Sequence, residues 1–149
     1  MSNGPSTPPR GLRVLQCNLR RSATALMHVL DACRAKNVDV ALVQDLPNAV
    51  DTDSWSHQGF KFIGANVPQG THREAGVFVS PQVQGTRSPE STQRAVGMEL
   101  TWGNSTIGFI SGYIQPETAV GLDDLAGLSQ VLKARTPLVF IGADVNGHS

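Results

Sequence analysis

Apolar positions change their spacing repeatedly along the chain, and each change marks an element. Leu12, Val14, Leu15 and Cys17 form a short apolar strand that ends at Asn18, a residue type that breaks strands and bonds backbone groups. Ser22 can cap a helix, and from Ala23 to Lys36 the positions Leu26, Val29, Leu30 and Cys33 recur at helical spacing, with Asn37 as the stop. Val38, Val40, Ala41, Leu42 and Val43 then run almost without interruption, the pattern of a strand buried on both faces. Strand, helix and strand over so short a span predict two parallel neighbours joined by a crossover helix.

The middle has a different rhythm. Phe60 to Ala65, Gly76 to Ser80, Val96 to Thr101 and Ile107 to Tyr113 are short strand candidates separated by Gly, Pro, Asn and Ser clusters, which predicts a mostly antiparallel stretch. Trp102-Gly103-Asn104-Ser105 fits a hairpin connection, with Gly103 or Asn104 able to take positive φ. Helical spacing returns from Thr118 to Arg135 through Leu122, Leu125, Leu128 or Ser129, Val131 and Leu132, and Pro137 ends it. Leu138 to Gly142 is the last apolar run. Residues 1–10, with three prolines and no aliphatic side chain beyond Met1, are expected to be a disordered leader to one domain over 11–149. Alternating strands and helices indicate an α/β sandwich.

Composition narrows this little. A chain of 149 residues with 40% apolar content suits one core, and twelve basic against twelve acidic side chains give no overall attraction to nucleic acid, so any such site must be local. Cys17 and Cys33 have neither the count of a disulfide framework nor the spacing of a zinc site, and are expected to be reduced core residues. No apolar run approaches the roughly 20 residues that cross a bilayer. The chain reads as intracellular, without membrane contact.

Four strand ends carry polar residues the strands do not need: Asn18, Asp45, Tyr113 and the Asp144/Asn146 pair. α/β sheets place ligand sites at such ends. Singly, Asn18 reads as a helix cap or Asx turn, Asp45 as a turn residue and Tyr113 as a core aromatic. Together they suit phosphodiester hydrolysis. A hard divalent ion held by one or two carboxylates neutralises the phosphorus centre, with Asp45 the candidate ligand. Asp144 is then free to orient or deprotonate water, while Asn146 and Asn18 form hydrogen bonds without adding charge that repels phosphate, and Tyr113 can bond a phosphate oxygen. Arg20, Arg21 and Arg73 are candidates for holding nucleic-acid phosphates, or else part of a solvated face.

The order of these motifs is distinctive: Leu15-Gln16-Cys17-Asn18-Leu19-Arg20-Arg21-Ser22, Ala41-Leu42-Val43-Gln44-Asp45, Gly112-Tyr113-Ile114-Gln115-Pro116 and Ile141-Gly142-Ala143-Asp144-Val145-Asn146-Gly147-His148-Ser149. It resembles the endonuclease/exonuclease/phosphatase superfamily, and within it the apurinic-endonuclease-like domain of non-LTR retrotransposons. The resemblance implies a four-layer α/β/β/α sandwich of the DNase I-like type and a Mg²⁺-dependent endonuclease, with Mn²⁺ as a possible substitute, that nicks DNA and is nuclear if its target is chromosomal. It implies that Asn18 supports the metal-binding carboxylate of Asp45, that Tyr113 contacts the scissile phosphate, that Asp144 aligns or activates water and that Asn146 helps hold the transition state.

Two departures stand out. The family has Glu where this chain has Asp45; losing a methylene retracts the carboxylate by about 1.5 Å, a large step for Mg²⁺ with its octahedral bonds of about 2.0 to 2.1 Å. The family also continues past the Asp-x-Asn strand to another Asp and a terminal Ser-Asp-His, which none of His28, His57, His72 and His148 matches. The expectation is therefore a sandwich lacking its C-terminal part, a truncated or degenerate copy with an exposed edge and part of its core uncovered. Alternatives are an inactive sandwich that only binds nucleic acid or protein, and a phosphatase or lipid phosphodiesterase of the same superfamily.

Overall fold

A computed structural model describes residues 10–115 and 117–145. Asn146 and His148 lie outside the described residues, as does the expected leader except for Arg10. That residue is bound: its guanidinium donates to both carboxylate oxygens of Asp39 at 2.8 and 2.7 Å, and its carbonyl accepts from Trp102 Nε1.

The first three elements follow the sequence pattern closely. β1 (Val14–Asn18) and β2 (Val40–Gln44) pair in parallel, and α1 (Ala23–Ala35) crosses between them. Ser22 caps α1, its hydroxyl accepting from Ala25 N at 3.0 Å, and Asn37 turns the chain out of the helix with a left-handed φ of 56°. β3 (Ser56–His57), β4 (Phe60–Ile63) and β5 (Ala75–Val79) complete an antiparallel extension, giving the order β1-β2-β5-β4-β3. A second sheet, ordered β6-β7-β8-β9, contains β6 (Gly85–Arg87), β7 (Ala95–Trp102), β8 (Ser105–Ile114) and β9 (Leu138–Val145). β7 and β8 form the expected hairpin, and Gly103, at φ 63°, is its positive-φ residue. The two-residue β3 and three-residue β6 have no periodicity by which the sequence could announce them.

Alternation along the strands assigns the layers. Val40 and Leu42 of β2, Val77 and Val79 of β5, Val96, Met98 and Leu100 of β7, and Phe109 of β8 meet in one cluster between the sheets. The opposite parity of the first sheet, Ala41, Val43 and Phe78, packs with Leu26, Leu30 and Cys33 of α1. On the second sheet, Ala95 and Ile110 pack with Leu128 and Leu132 of α2 (Leu122–Arg135). The bare positions Gly97 and Gly112 allow this approach: a Cβ at Gly112 would lie 2.9 Å from Leu125, and one at Gly97 would lie 3.0 Å from Leu132. The result is α1, sheet, sheet, α2, the four-layer sandwich.

β9 and β1 are edge strands of their sheets among the described residues. Leu138, Phe140 and Ile141 on β9 are 49%, 41% and 44% exposed, with Phe140 stacked on Phe109 at 5.6 Å. An apolar edge strand of this kind is open to further pairing.

Candidate active site

Parallel pairing brings the C-terminal ends of β1 and β2 together, and parallel pairing of β8 with β9 does the same on the other sheet. Asn18 is in register with Gln44, one residue before Asp45, and Tyr113 is in register with Asp144. Contact between the sheets closes the group. Asn18 Nδ2 donates to Asp144 Oδ2, joining the end of β1 to that of β9. Asn18 Oδ1 accepts from Arg20 N at 2.7 Å, forming an Asx-type turn in which Arg20 and Arg21 both take left-handed φ, 51° and 59°. Arg21 N then donates to Asp45 O at 2.7 Å, tying this turn to β2.

Asp45 itself has φ 55°. Asp adopts this region more readily than Glu, because its short side chain can bond locally, so the residue that departs from the family pattern suits its own backbone. One carboxylate oxygen lies 3.2 Å from Arg21 Nε, in a pair whose Arg side chain is 60% exposed.

Beneath these residues lies a polar layer, buried at Gln44 and Ser111. Gln44, fully buried, accepts a short hydrogen bond from Gln16 Nε2 and donates to Ser111 Oγ at 3.1 Å and to Gly142 O at 3.2 Å. Ser111 Oγ in turn donates to Val43 O at 2.6 Å. Each member stands one or two positions before a site residue, so this layer fixes the heights of Asp45, Tyr113 and Asp144 relative to one another.

The structure also adds Glu74 and Arg94, which the sequence did not single out. Burial raises the Tyr113 phenol above its ordinary value, and Asp45, Glu74 and Asp144 add to the rise while Arg21 opposes it. Negative charge thus gathers around Tyr113. His72 lies at the margin: its Nδ1 is 3.1 Å from Asn48 Oδ1, and Nε2 is buried without a hydrogen-bond partner among the described residues. Burial, helped by Arg21, holds its imidazole below the usual value, against the pull of Glu74 and Asp45.

Of the expected phosphate-binding arginines, Arg20 and Arg21 lie exposed at the site. Arg73 is not brought there. It is 6% exposed, and its guanidinium donates to the carbonyls of Asp51 and Ala65 beside the Phe62 ring. A guanidinium spent on backbone in this way staples loops, which corrects its placement on a DNA-facing surface. An open depression of about 210 Å³, lined by Tyr113, Gln115, Glu117 and Thr118, adjoins the cluster. A pocket of about 130 Å³ among Arg10, Asp39 and Ser80 lies at the opposite end of the strands, away from this chemistry.

Among the described residues, no three His, Cys, Asp or Glu side chains are grouped to cage a metal ion. Mg²⁺ usually keeps several waters and takes one or two carboxylates together with substrate phosphate, so an oxygen donor such as Asp45 fits that ion without a protein cage.

Two facing sheets with a helix on each outer face make the DNase I-like fold, and the polar strand ends gather at one end of it. Among solved structures, the chain is similar to the endonuclease domain of TRAS1, a telomere-specific non-LTR retrotransposon, at 22% identity and a TM-score of 0.72, over 93% of this chain and 61% of that one. It is also similar to a humanized D. rerio TDP2 (12% identity, TM-score 0.59, 93% of this chain and 63% of that). A third is an endonuclease/exonuclease/phosphatase family protein from Leptotrichia buccalis (13% identity, TM-score 0.50, 91% of this chain and 67% of that). These likenesses show the fold, which is the one that the motif order implies. The chain spans about three fifths of the length of the TRAS1 domain. No family model matches the chain, and no curated protein does.

Proposed function

We propose that the chain carries the nucleotide-cleaving face of a Mg²⁺-dependent phosphodiesterase, with Mn²⁺ as a substitute, acting on DNA as a nicking endonuclease of a retroelement. One observation carries this reading: Asn18, Asp45, Tyr113 and Asp144, from four strands of both sheets, share one end of the sandwich. When bound, the ion supplies charge neutralisation at the phosphate. Asp45 would hold it, with Asn18 nearby in support.

The chain's own residues divide the remaining work. Tyr113, kept protonated by its surroundings, donates a hydrogen bond to a phosphate oxygen. Asp144, oriented by the Asn18 amide, accepts a hydrogen bond from the attacking water and aligns it. Arg20 contacts flanking phosphates without reading bases. Asn146 follows as an expected hydrogen-bond donor to the developing charge.

Relaxation of supercoiled plasmid in Mg²⁺, compared with EDTA and with Asp144→Ala, tests the reading. Nicking that is lost in EDTA and in the variant is expected. If neither the chain nor Asp45→Glu nicks above the EDTA background, the proposal fails. The Arg21 contact to Asp45 favours a second reading, a sandwich that binds nucleic acid without cleaving it. Calorimetric Mg²⁺ titration separates the two, because the second predicts no response that depends on Asp45.

A further inference from the structure

Two residues with no assigned role connect the halves of this site. Glu74 immediately precedes β5, and Arg94 immediately precedes β7, on the other sheet. Main-chain bonds already join the sheets here, since Glu74 N and Ala75 N both donate to Gln93 O, at 2.8 and 3.1 Å. Each residue then carries one site residue on its carbonyl. Asp45 N donates to Glu74 O at 2.7 Å, and Tyr113 N donates to Arg94 O at 2.8 Å. Arg94 Nε and Glu74 Oε2 are 3.0 Å apart, with side chains 32% and 12% exposed. The N–H is not aimed along that line, so the contact is an ion pair rather than a directed hydrogen bond, and neither of these buried atoms has a hydrogen-bond partner among the described residues. Each of these two atoms therefore has the other as its charged neighbour.

We infer that the Glu74–Arg94 pair is a cross-sheet strut that positions Tyr113 against Asp45. The path Asp45, Glu74, Arg94, Tyr113 is continuous through two backbone hydrogen bonds and one ion pair. It closes the site on the side opposite the Asn18–Asp144 bridge, so the four polar strand ends are braced from both sides. Glu74 is a positioning residue through its backbone contact to Asp45, and its carboxylate adds to the negative field around the phenol. Losing either partner leaves a partly buried charge unpaired, and its solvation draws one strand end away from the other.

The role in catalysis rests on the proposed phosphodiesterase reading, but the strut can be tested without activity. Tyr113 is the chain's single tyrosine, so 3-fluorotyrosine labels this site alone. ¹⁹F NMR of the whole chain would compare wild type with Arg94→Gln, Arg94→Lys and Glu74→Gln. The expected result is a displaced or broadened resonance in Arg94→Gln and Glu74→Gln, and a near wild-type one in Arg94→Lys. An Arg94→Gln protein that melts earlier but keeps the wild-type resonance overturns the inference, because that is the behaviour of a purely structural pair. If Arg94→Gln does not fold, Glu74→Asp, which keeps the charge but shortens its reach, is expected to displace the resonance, and an unmoved line overturns the strut.

In nicking assays, Arg94→Gln should lower kcat by roughly ten- to a hundred-fold with little change in KM, as misplaced groups do. A chain whose resonance responds but which never nicks supports the strut and overturns the nuclease reading. Nicking with an unmoved resonance does the reverse.

Discussion

Gln44→Leu tests whether the buried polar layer sets the geometry above it. The Gln44 amide makes three hydrogen bonds, to Gln16, Ser111 and Gly142, and the side chain is fully buried. At about 1 kcal/mol net for each, their loss costs about 3 kcal/mol. A buried leucine returns about 1 kcal/mol through added apolar area, leaving about 2 kcal/mol of destabilisation. With m of about 2 kcal/mol/M, the urea midpoint should fall by about 1 M. Gln44→Glu supplies a signed control. Its carboxyl can still accept from Gln16, but when ionised it faces the Gly142 carbonyl with no donor. Burial should raise its folded-state pKa above that of the unfolded chain. The stability tied to the protonated form is then fully present below the unfolded value of about 4.3 and lost as pH rises through the folded value. The deficit of Gln44→Glu relative to wild type should therefore be larger at pH 7.5 than at pH 4.5. A Gln44→Leu protein within about 0.5 kcal/mol of wild type, with Mg²⁺ affinity unchanged, would refute the reasoning.

Arg21→Ala should tighten Mg²⁺ binding, because it frees the Asp45 carboxylate from its cation; an exposed pair is worth at most about 1 kcal/mol, so calorimetry should show a gain of no more than about five-fold. His72 has a folded-state pKa below its usual value, so its contribution to stability is present above pH 6.5 and lost as pH falls through the folded value. Denaturant titrations at pH 7.5 and 5.5 should show a smaller acid loss in His72→Gln than in wild type. Cys33 is fully buried, and its thiol is pushed up to about 11 by burial and by Cys17. A thiol reagent at pH 8 should therefore modify Cys17 alone in the native chain and both cysteines in denaturant. Leu138→Lys with Ile141→Lys should lower light scattering at high protein concentration, since both exposed side chains lie on the apolar edge strand β9.

The parts of this architecture that periodicity could reveal are those with enough residues to show a period. The stripe Leu26, Leu30 and Cys33 faces the first sheet as its spacing requires, and the unbroken run ending at Gln44 is buried on both faces. The site was legible where strands point towards it, because a polar residue after an apolar run is visible in one dimension. Glu74 and Arg94 were not, and the reason is topological. β5 runs antiparallel to β2, and β7 antiparallel to β8, so these strands reach the same end of the sandwich by their N-terminal residues. A polar residue before an apolar run looks like ordinary loop. Arg73, one residue from Glu74, shows the converse: in sequence it sits in a Gly-flanked polar stretch, yet its guanidinium lies over the Phe62 ring and is spent on backbone carbonyls.

That topology also explains how the site tolerates its own charge. Asp45, Glu74 and Asp144 all act on one phenol, yet each has a partner: Arg21 at the surface, Arg94 across the sheets, and the Asn18 amide across the strand ends. The partners differ in how firmly they are held. Arg94 is partly buried and braced by the backbone, and Asn18 is fixed at the end of β1, but the Arg21 side chain is 60% exposed. Displacing Arg94 or Asn18 would disturb the sandwich; displacing Arg21 costs only an exposed ion pair. Asp45 is thus the carboxylate most readily released to an incoming cation, and it stands beside an exposed basic side chain that is then free to turn towards a phosphate. A substitution at Arg21 should for that reason separate the two halves of the chemistry, strengthening metal binding while weakening contact with the substrate anion.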